Sequence, residues 1–187
     1  MNNKTKALTS EQYKEIITTM REGSFSFRPN DRVATALVLE ANLGIRISDI
    51  VNLKPSDIVL DGERYRLEIV EQKTGKRRDF TVPLVIQQYI ENYCLRKGIR
   101  QNERIFPITP REIQKQLQKV CEYLGYEGIS THSFRKFFAT SIYNNNGHDI
   151  ALVQRLLQHS SPAVSQRYIG IEPERIETAL QNHANLL

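Results

Sequence analysis

Apolar residues recur at helical spacing through the first quarter of the chain. The sequence Thr9-Ser10-Glu11-Gln12 is a capping box, and the positions after it place apolar side chains on one helix face. A second run, from about Asp31 to Asn42, is apolar nearly all round, which predicts a central buried helix that Gly44 ends. A shorter helical segment from Ile45 to Leu53 is expected to stop before Pro55.

The period of the pattern changes from helical to two in the middle of the chain. Apolar and charged residues alternate strictly over residues 64–69, as in a half-buried strand. Residues 58–60 and residues 80–82 supply two further short strands, separated from the first by the turn pairs Asp61-Gly62 and Thr74-Gly75. We therefore predict a small antiparallel sheet at about residues 57–83.

Helical spacing returns after Pro83 and continues to the end. The predicted helices cover 84–97, 110–124, 131–144, 149–158, 162–168 and about 173–187. No linker rich in Pro, Gly or Ser divides the 187 residues, and a prior of roughly 150 residues per domain favours one domain. The pattern predicts a single α+β domain, mainly helical, with a small sheet inserted early.

Composition narrows the possible partners and sites. The chain has 26 Lys and Arg against 21 Asp and Glu, and its net charge of +5 favours a polyanionic partner. No apolar run reaches the roughly 18 residues of a membrane span, and the amino end does not resemble a secretory signal, so we expect a cytoplasmic protein. Cys94 and Cys121 are too few for a structural zinc site. No cofactor or metal is predicted.

Three polar residues stand out beside apolar segments. Arg46 directly follows the predicted buried helix, and taken alone it is interpreted as a helix-end arginine paired with Asp49. His132 and Arg135 are three residues apart, hence on one helix face, in first turns where the amide donors and the helix dipole favour an anion. A surface pair near a helix end is the alternative for these two.

Three more candidates have an ordinary structural explanation when each is taken alone. His159 follows a helix end, where a structural histidine is common, and Tyr168, nine residues later, is of a type that usually packs. Lys73 lies at the predicted hairpin tip in a run that by default is a solvated set of charges, completed by Lys76, Arg77 and Arg78.

Taken together, these residue types are suited to phosphoryl transfer. Two arginines can bind the oxygens of one phosphate through forked, charge-assisted hydrogen bonds. Two histidines and a lysine can exchange protons with the attacking and leaving oxygens. A tyrosine hydroxyl becomes a better nucleophile where a cationic pocket stabilises its phenolate. The set indicates metal-free phosphoryl transfer on a polyanion, with protein cations in the place of magnesium.

From about Leu8 to Gly170 the sequence resembles the tyrosine recombinases, the family of phage and mobile-element integrases and chromosome-dimer resolvases. The resemblance lies in five motifs in the family's order. They are Leu43-Gly44-Ile45-Arg46-Ile47-Ser48-Asp49-Ile50, the hairpin lysine, His132-Ser133-Phe134-Arg135, Leu156-Leu157-Gln158-His159-Ser160-Ser161 and Arg167-Tyr168. The resemblance implies the catalytic-domain fold of that family and a site-specific recombinase that needs neither metal nor ATP.

The resemblance also implies how four of the residues act on DNA. Arg46 and Arg135 would clamp the scissile phosphate of double-stranded DNA. Lys73 would protonate the leaving 5′ oxygen. His132 would serve as acid/base and phosphate ligand.

The remaining residues complete the implied site. His159 would hydrogen-bond the transition state, and Tyr168 would attack the phosphorus to form a 3′-phosphotyrosyl link. Asp49 matches an acidic position that supports the site from behind. The hairpin charges are predicted to bind DNA, and they are Lys76, Arg77 and Arg78.

The sequence departs from the family pattern at two residues and in length. Phe134 stands where the family more often has Leu, and Lys136 where it more often has His. Typical members carry a core-binding domain before the catalytic domain, whereas here the pattern starts almost at Met1. We expect that this domain is absent and that the chain is a stand-alone member rather than a fragment, with weak, salt-sensitive DNA binding.

The resemblance further implies a homo-oligomer on DNA, a tetrameric synapse, with a monomer or weak dimer when free. The apolar-faced helix predicted at about 173–187 suits exchange between protomers as well as it suits packing on its own chain. Two alternative functions remain open. One is a recombinase-derived DNA-binding protein without strand exchange, and the other is a relaxing topoisomerase of similar chemistry.

Overall fold

The computed structural model describes residues 5–169, which form eight α-helices and three strands. The helices are α1 Ser10–Glu22, α2 Asp31–Leu43, α3 Ile47–Ile50, α4 Leu84–Lys97, α5 Pro110–Leu124, α6 Thr131–Asn145, α7 Ile150–Leu157 and α8 Pro162–Ile169. The strands are β1 Ile58–Asp61, β2 Arg64–Val70 and β3 Arg77–Val82. The predicted mainly helical α+β fold is confirmed, and the helix predicted at about 173–187 lies outside the described residues.

Capping residues set the helix ends, among them the Thr9 capping box and Gly44 that the sequence indicated. The Thr9 hydroxyl accepts from the Gln12 amide, and the Gln12 side chain accepts from the Thr9 amide, which closes the capping box of α1. Thr109 and Glu112 repeat the arrangement at α5. Gly44 ends α2 in the left-handed conformation, with φ at 60°. These bonds satisfy amides that a helix start otherwise leaves unpaired.

The three strands pair antiparallel in the order β1-β2-β3, as predicted. Leu67 at the centre of β2 is fully buried, opposite Ile58 on one side and Phe80 on the other. The helical segment that precedes Pro55 ends at Ile50, so it stops before the proline as expected. Pro55–Asp57 form a short 3-10 helix before β1, because proline at a first helical position removes only an amide that would be unpaired there.

Helix α2 is the most buried element, as its all-round apolar pattern predicts. Seven of its apolar residues are at most 5% exposed, and α1, α3 and α5 pack against it. The amino-terminal half of α6 joins this core through Phe134, which is fully buried, and through Phe137, which stacks on Tyr13 with ring centroids 4.9 Å apart. The core therefore fixes the start of α6 and the end of α2.

The chain divides into two compact units, with the boundary after Phe138. The first unit holds α1 to α5, the sheet and the start of α6. In the second unit α7 packs against α8, and Val153 and Leu157 are buried. The assignment of the chain to a single domain stays a prediction. Among residues 5–169, no helix combines the length and the apolar character that crossing a membrane requires.

Candidate active site

Arg46 lies at the turn between α2 and α3, between two buried isoleucines. Its side chain is partly buried, and Nη1 donates to Glu71 Oε2 over 2.6 Å. A pairing of Arg46 with Asp49 was the alternative, and the structure instead places Glu71 against the guanidinium. Asp49 Oδ1 accepts from the Gln72 amide over 2.8 Å. Asp49 therefore holds the backbone just after the end of β2.

Lys73 lies in the exposed turn between β2 and β3, as predicted. Two backbone bonds close this turn, since the Gly75 amide donates to the Glu71 carbonyl over 2.9 Å and the Glu71 amide donates to the Lys76 carbonyl over 3.0 Å. Gly75 has a φ of 65°, which glycine adopts without steric cost. The turn therefore presents Lys73 to solvent from a closed backbone ring.

Glu71 is buried, with 1% of its surface exposed, and both carboxylate oxygens are bound. Oε2 accepts from Arg46 and from Thr74 Oγ1, at 2.7 Å in the second case, and Oε1 accepts from Arg78 Nη1 over 3.0 Å. Burial alone would raise the pKa of Glu71. The hydrogen bonds from Thr74, Arg46 and Arg78 outweigh it and lower the pKa to about 2, so the group is a carboxylate at neutral pH.

The expectation that Arg78 belongs to a solvated run of charges is wrong. It is 2% exposed, because the alternation of β3 turns it inward with Phe80, whose ring centroid lies 5.0 Å from its Cζ. Burial and the charge of Arg135 lower the pKa of Arg78 to about 10, although the hydrogen bond that Arg78 donates to Glu71 acts in the opposite direction. Arg78 therefore does not belong to the exposed charges of the hairpin, and its direct contact with DNA stays a prediction.

The other two hairpin charges are exposed, as a solvated run would be. Arg77 Nη2 lies 3.6 Å from Glu68 Oε2, and Lys76 closes the turn through its carbonyl. DNA binding by Lys76 and Arg77 stays a prediction.

The start of α6 carries His132 and Arg135 within its first two turns. Arg135 is 2% exposed, so the surface-pair alternative fails for it. Arg135 Nη1 donates to the Gly44 carbonyl over 2.7 Å. This bond ties α6 to the turn that carries Arg46. Lys136, at one of the two positions that depart from the family pattern, donates to the Thr5 carbonyl over 2.6 Å.

The pKa of His132 is shifted by its surroundings. Its outer edge reaches solvent, yet partial desolvation lowers the pKa of the imidazole, and the positive charges of Arg135, Lys73 and Arg46 lower it further. Four predicted catalytic residues from three distant chain segments therefore lie within one electrostatic neighbourhood. The imidazole is neutral near pH 7 and can accept a proton.

A second buried acid lies next to this cluster. Glu40 of α2 is fully buried, and burial raises its pKa well above the usual value while the charge of Arg135 opposes that shift. A carboxyl that resists ionisation neutralises little of the surrounding positive charge. The cluster therefore keeps an excess of positive charge, which fits an anionic ligand.

His159 and Tyr168 lie together in the second unit. Gln158 ends α7 in the left-handed conformation, with φ at 53°, and His159 follows it. His159 Nδ1 lies 2.9 Å from Ser165 Oγ. The imidazole and the Tyr168 ring meet edge to face with centroids 5.1 Å apart, and Tyr168 is partly buried. The two predicted catalytic residues of this unit are thus neighbours.

Sequence reasoning missed Glu71, although a signal for it exists. The inward positions of β2 are Tyr65, Leu67 and Ile69, and the same step of two leads to Glu71. On β3 the same step leads back from Phe80 to Arg78, which pairs with Ile69 across the sheet. Charged residues beside a hairpin turn were interpreted as solvated, whereas the strand period places this oppositely charged pair inside.

The described residues contain no group of three or more His, Cys, Asp or Glu side chains that could hold a metal ion. The two cysteines, Cys94 and Cys121, are buried and unpaired with each other, and burial raises the pKa of both thiols.

Comparison with known proteins places the chain in a family. The sequence model of the phage integrase family matches residues 6–175. The probable integrase/recombinase YoeC of Bacillus subtilis is 32% identical over 157 residues, which cover 80% of this chain and 83% of that protein. Tyrosine recombinase XerA of Pyrococcus furiosus is 28% identical over 97% of this chain and 63% of its own length.

A solved structure shows the same fold. The XerH site-specific recombinase, in its post-cleavage complex with palindromic difH substrate, matches with a TM-score of 0.70 and 21% identity, over 94% of this chain and 52% of XerH. The chain spans less than two thirds of the XerA and XerH chains. The resemblance that the five motifs predicted is confirmed: the chain belongs to the phage integrase family, the family of the tyrosine recombinases.

Proposed function

We propose that this chain is the catalytic domain of a site-specific DNA recombinase that cleaves and rejoins strands through a 3′-phosphotyrosyl intermediate. The observation that carries the proposal is that hydrogen bonds hold Arg46, Arg135 and the turn of Lys73 to one another. Arg135 binds the Gly44 carbonyl beside Arg46, and Arg46 binds Glu71, whose backbone closes the turn. The lowered pKa of His132 agrees with this concentration of positive charge. Membership of the phage integrase family supports it, as do relatives named as recombinases. Double-stranded DNA is the proposed partner, and a tetramer on DNA is the proposed assembly.

Phosphate binding falls to the two arginines. The guanidinium of Arg46 uses Nη1 on Glu71 and keeps further donors, and Arg135 is fixed by the Gly44 carbonyl. Planar forks of this kind match the non-bridging oxygens of a phosphate. Because both are held before DNA arrives, little ordering is required when charge develops on the phosphorus.

The chemical step balances in protons and bonds. The Tyr168 hydroxyl oxygen bonds to phosphorus while the bond from phosphorus to the 5′ oxygen breaks. His132, neutral near pH 7, takes the tyrosine proton, and Lys73 gives a proton to the leaving 5′ oxygen. His159 hydrogen-bonds the transition state. A 5′ hydroxyl from another strand reverses the step, and the phosphotyrosyl ester keeps the bond energy, so ATP is not consumed.

The test is a covalent trap. The probe is a pool of duplexes with randomised sequence, each labelled at the 5′ end of a strand that has a nick on the 3′ side of a short labelled segment. Cleavage within that segment leaves the label on the protein and releases a short fragment with a 5′ hydroxyl, which diffuses away so that the adduct persists. Wild-type protein should give a labelled protein–DNA adduct stable to denaturation, and Tyr168→Phe should give none. Tyr143→Phe, in the same unit, is the matched control and should form the adduct.

Two results would favour the other functions. Binding of the pool that Tyr168→Phe leaves unchanged, with no adduct from wild type, would overturn the proposal and indicate a recombinase-derived DNA-binding protein. Relaxation of supercoiled plasmid by protein that forms no synapse would indicate a topoisomerase.

A further inference from the structure

We propose that Glu71 is a positioning residue, which fixes Arg46 for phosphate binding and couples it to the turn that carries Lys73. The inference rests on the proposed function, because it concerns the same site. It assigns a role to a side chain that is buried and is not itself exposed to a ligand.

The contacts of Glu71 divide between its two oxygens. Oε2 accepts from Arg46 Nη1 over 2.6 Å and from Thr74 Oγ1 over 2.7 Å. Oε1 accepts from Arg78 Nη1 over 3.0 Å. The Arg46 side chain is 18% exposed, whereas that of Glu71 is 1% exposed. The carboxylate therefore holds the inner side of Arg46 and leaves part of the guanidinium open to a ligand.

An arginine side chain has several rotatable bonds, and ordering it on binding costs conformational entropy. A bond at 2.6 Å to a buried carboxylate removes much of that freedom in advance. Only one nitrogen of Arg46 is shown bound to Glu71, and the planar fork has five N–H donors in all. Glu71 can therefore orient Arg46 without consuming its capacity for phosphate.

Arg78 explains how a carboxylate can lie close to a phosphate site. A carboxylate paired with Arg46 alone would repel the incoming phosphate. Arg78 Nη1 binds the other oxygen of Glu71 from within the fold, where both side chains are buried. The negative charge of Glu71 thus stays compensated when Arg46 binds DNA.

The backbone of Glu71 extends the coupling to the hairpin. Its amide and carbonyl close the turn around Lys73, through the Lys76 carbonyl and the Gly75 amide. The next amide, that of Gln72, donates to Asp49 in α3. The side chain of one residue therefore positions the arginine, and its main chain positions the lysine.

The test compares three substitutions in single-turnover adduct formation on a nicked duplex recovered from the randomised pool with wild-type protein. Glu71→Gln should slow the adduct about 100-fold, the scale that misplacement by about 1 Å can cause. Thr74→Val removes one bond to Oε2 from an exposed position and should slow it about 3- to 10-fold. Glu68→Gln, on β2 three residues before Glu71 but exposed, should change it less than about twofold.

Two further measurements separate positioning from loss of structure. Thermal melting reports the folded fraction of each variant, and if Glu71→Gln does not fold, Thr74→Val carries the test. In an Arg46→Ala background, Glu71→Gln should slow adduct formation by less than about threefold relative to Arg46→Ala alone. A residue that acts through Arg46 has no further effect once the Arg46 side chain is removed.

Adduct rates for Glu71→Gln and Thr74→Val that equal the wild-type rate would overturn the inference while the proposed function stands. An undiminished loss in the Arg46→Ala background would also overturn it. Absence of an adduct from wild type itself would refute the proposed function and the inference with it.

Discussion

Glu71 and His132 owe their charge states to overlapping sets of cations. Arg46 and Arg78 bind the Glu71 carboxylate and favour its ionised form, which lowers its pKa. Arg46 and Arg135 also lie near His132, where they disfavour the imidazolium. At neutral pH the cluster therefore holds an ionised Glu71 bound to Arg46 and a neutral His132, and these are the two protonation states that the proposed chemistry uses.

The unfolding free energy at acidic pH should depend on the ionisation of Glu71. Its pKa is about 2 in the folded chain against 4.5 ordinarily, so its contribution to stability is full above pH 4.5 and is lost as the pH falls towards 2. The unfolding free energy of wild type should therefore decline more steeply over this window than that of Glu71→Gln. Urea titrations at a series of pH values measure both, and parallel curves would contradict the assigned ionisation.

NMR titration of His132 should place its imidazole pKa below the ordinary 6.5. Lys73→Gln should raise that pKa, because it removes one of the positive charges that oppose protonation. Lys76→Gln, on the same hairpin, serves as the control and should leave it unchanged. A His132 pKa of 6.5 or above would contradict the predicted shift. A pKa that does not change in Lys73→Gln would show that the hairpin lysine does not face His132.

At this scale the sequence was most informative where a polar residue interrupts an apolar pattern. Arg46 and Arg135 were found in that way, because a cation beside a buried helix requires a reason. The buried pair of Glu71 and Arg78 was missed. Arg78 stands between the charged residues Arg77 and Asp79, so the pattern offers no contrast there, and Glu71 lies beside a hairpin turn whose charges were expected to be solvated. Their pairing depends on the sheet register, which sequence spacing alone does not specify.

Among the elements, the turn between α2 and α3 supports both arginines of the cluster. Gly44 takes a φ of 60°, its carbonyl accepts from Arg135, and Arg46 follows two residues later. A Cβ at Gly44 would overlap the ring of Phe138, because the backbone approaches that ring closely. The tight turn therefore depends on glycine for its conformation and for space.

Gly44→Ala should lower the unfolding free energy by about 2–4 kcal/mol, which combines the cost of left-handed backbone with that of overpacking. Gly98→Ala is the matched control, since Gly98 has a φ of 65° but open space around it. It should cost only about 1–2 kcal/mol. Chemical denaturation measures both losses, and equal values would show that the contact with Phe138 yields without cost.

Element boundaries followed from local chemistry. The capping residues Thr9 and Thr109, and the glycine that ends α2, act within one helical turn, so the sequence alone specifies them. The short 3-10 helix that begins at Pro55 was not predicted, because proline is compatible with the start of a helical turn as well as with a helix end.

For the molecule as a whole, the net charge of +5 favours DNA as the partner through contacts with phosphates. We expect the logarithm of the association constant to fall linearly with the logarithm of salt concentration. Lys76→Gln should reduce the magnitude of that slope by about 1, as for the loss of one phosphate contact. The control is Lys97→Gln, because Lys97 pairs with Asp31, and this substitution should leave the slope unchanged. Fluorescence anisotropy measures the slopes, and an unchanged slope for Lys76→Gln would remove the hairpin from the DNA interface.

Contacts between segments far apart in the chain were the hardest feature to predict from the sequence. The bond between Arg46 and Glu71 spans 25 positions, and the bond between Arg135 and Gly44 spans 91. Neither leaves a periodic trace in the sequence, and only the family resemblance implied that such segments meet. The helix at about 173–187, whether exchanged between protomers or packed on its own chain, and the tetramer on DNA stay predictions.

The most direct test of strand cleavage is to locate the bond between protein and DNA. Adduct formed on the nicked duplex is digested with protease and nuclease, and tandem mass spectrometry identifies the residue that carries the nucleotide. We predict a 3′-linked nucleotide on Tyr168 and on no other residue. A nucleotide on any other side chain would contradict the assignment of the nucleophile.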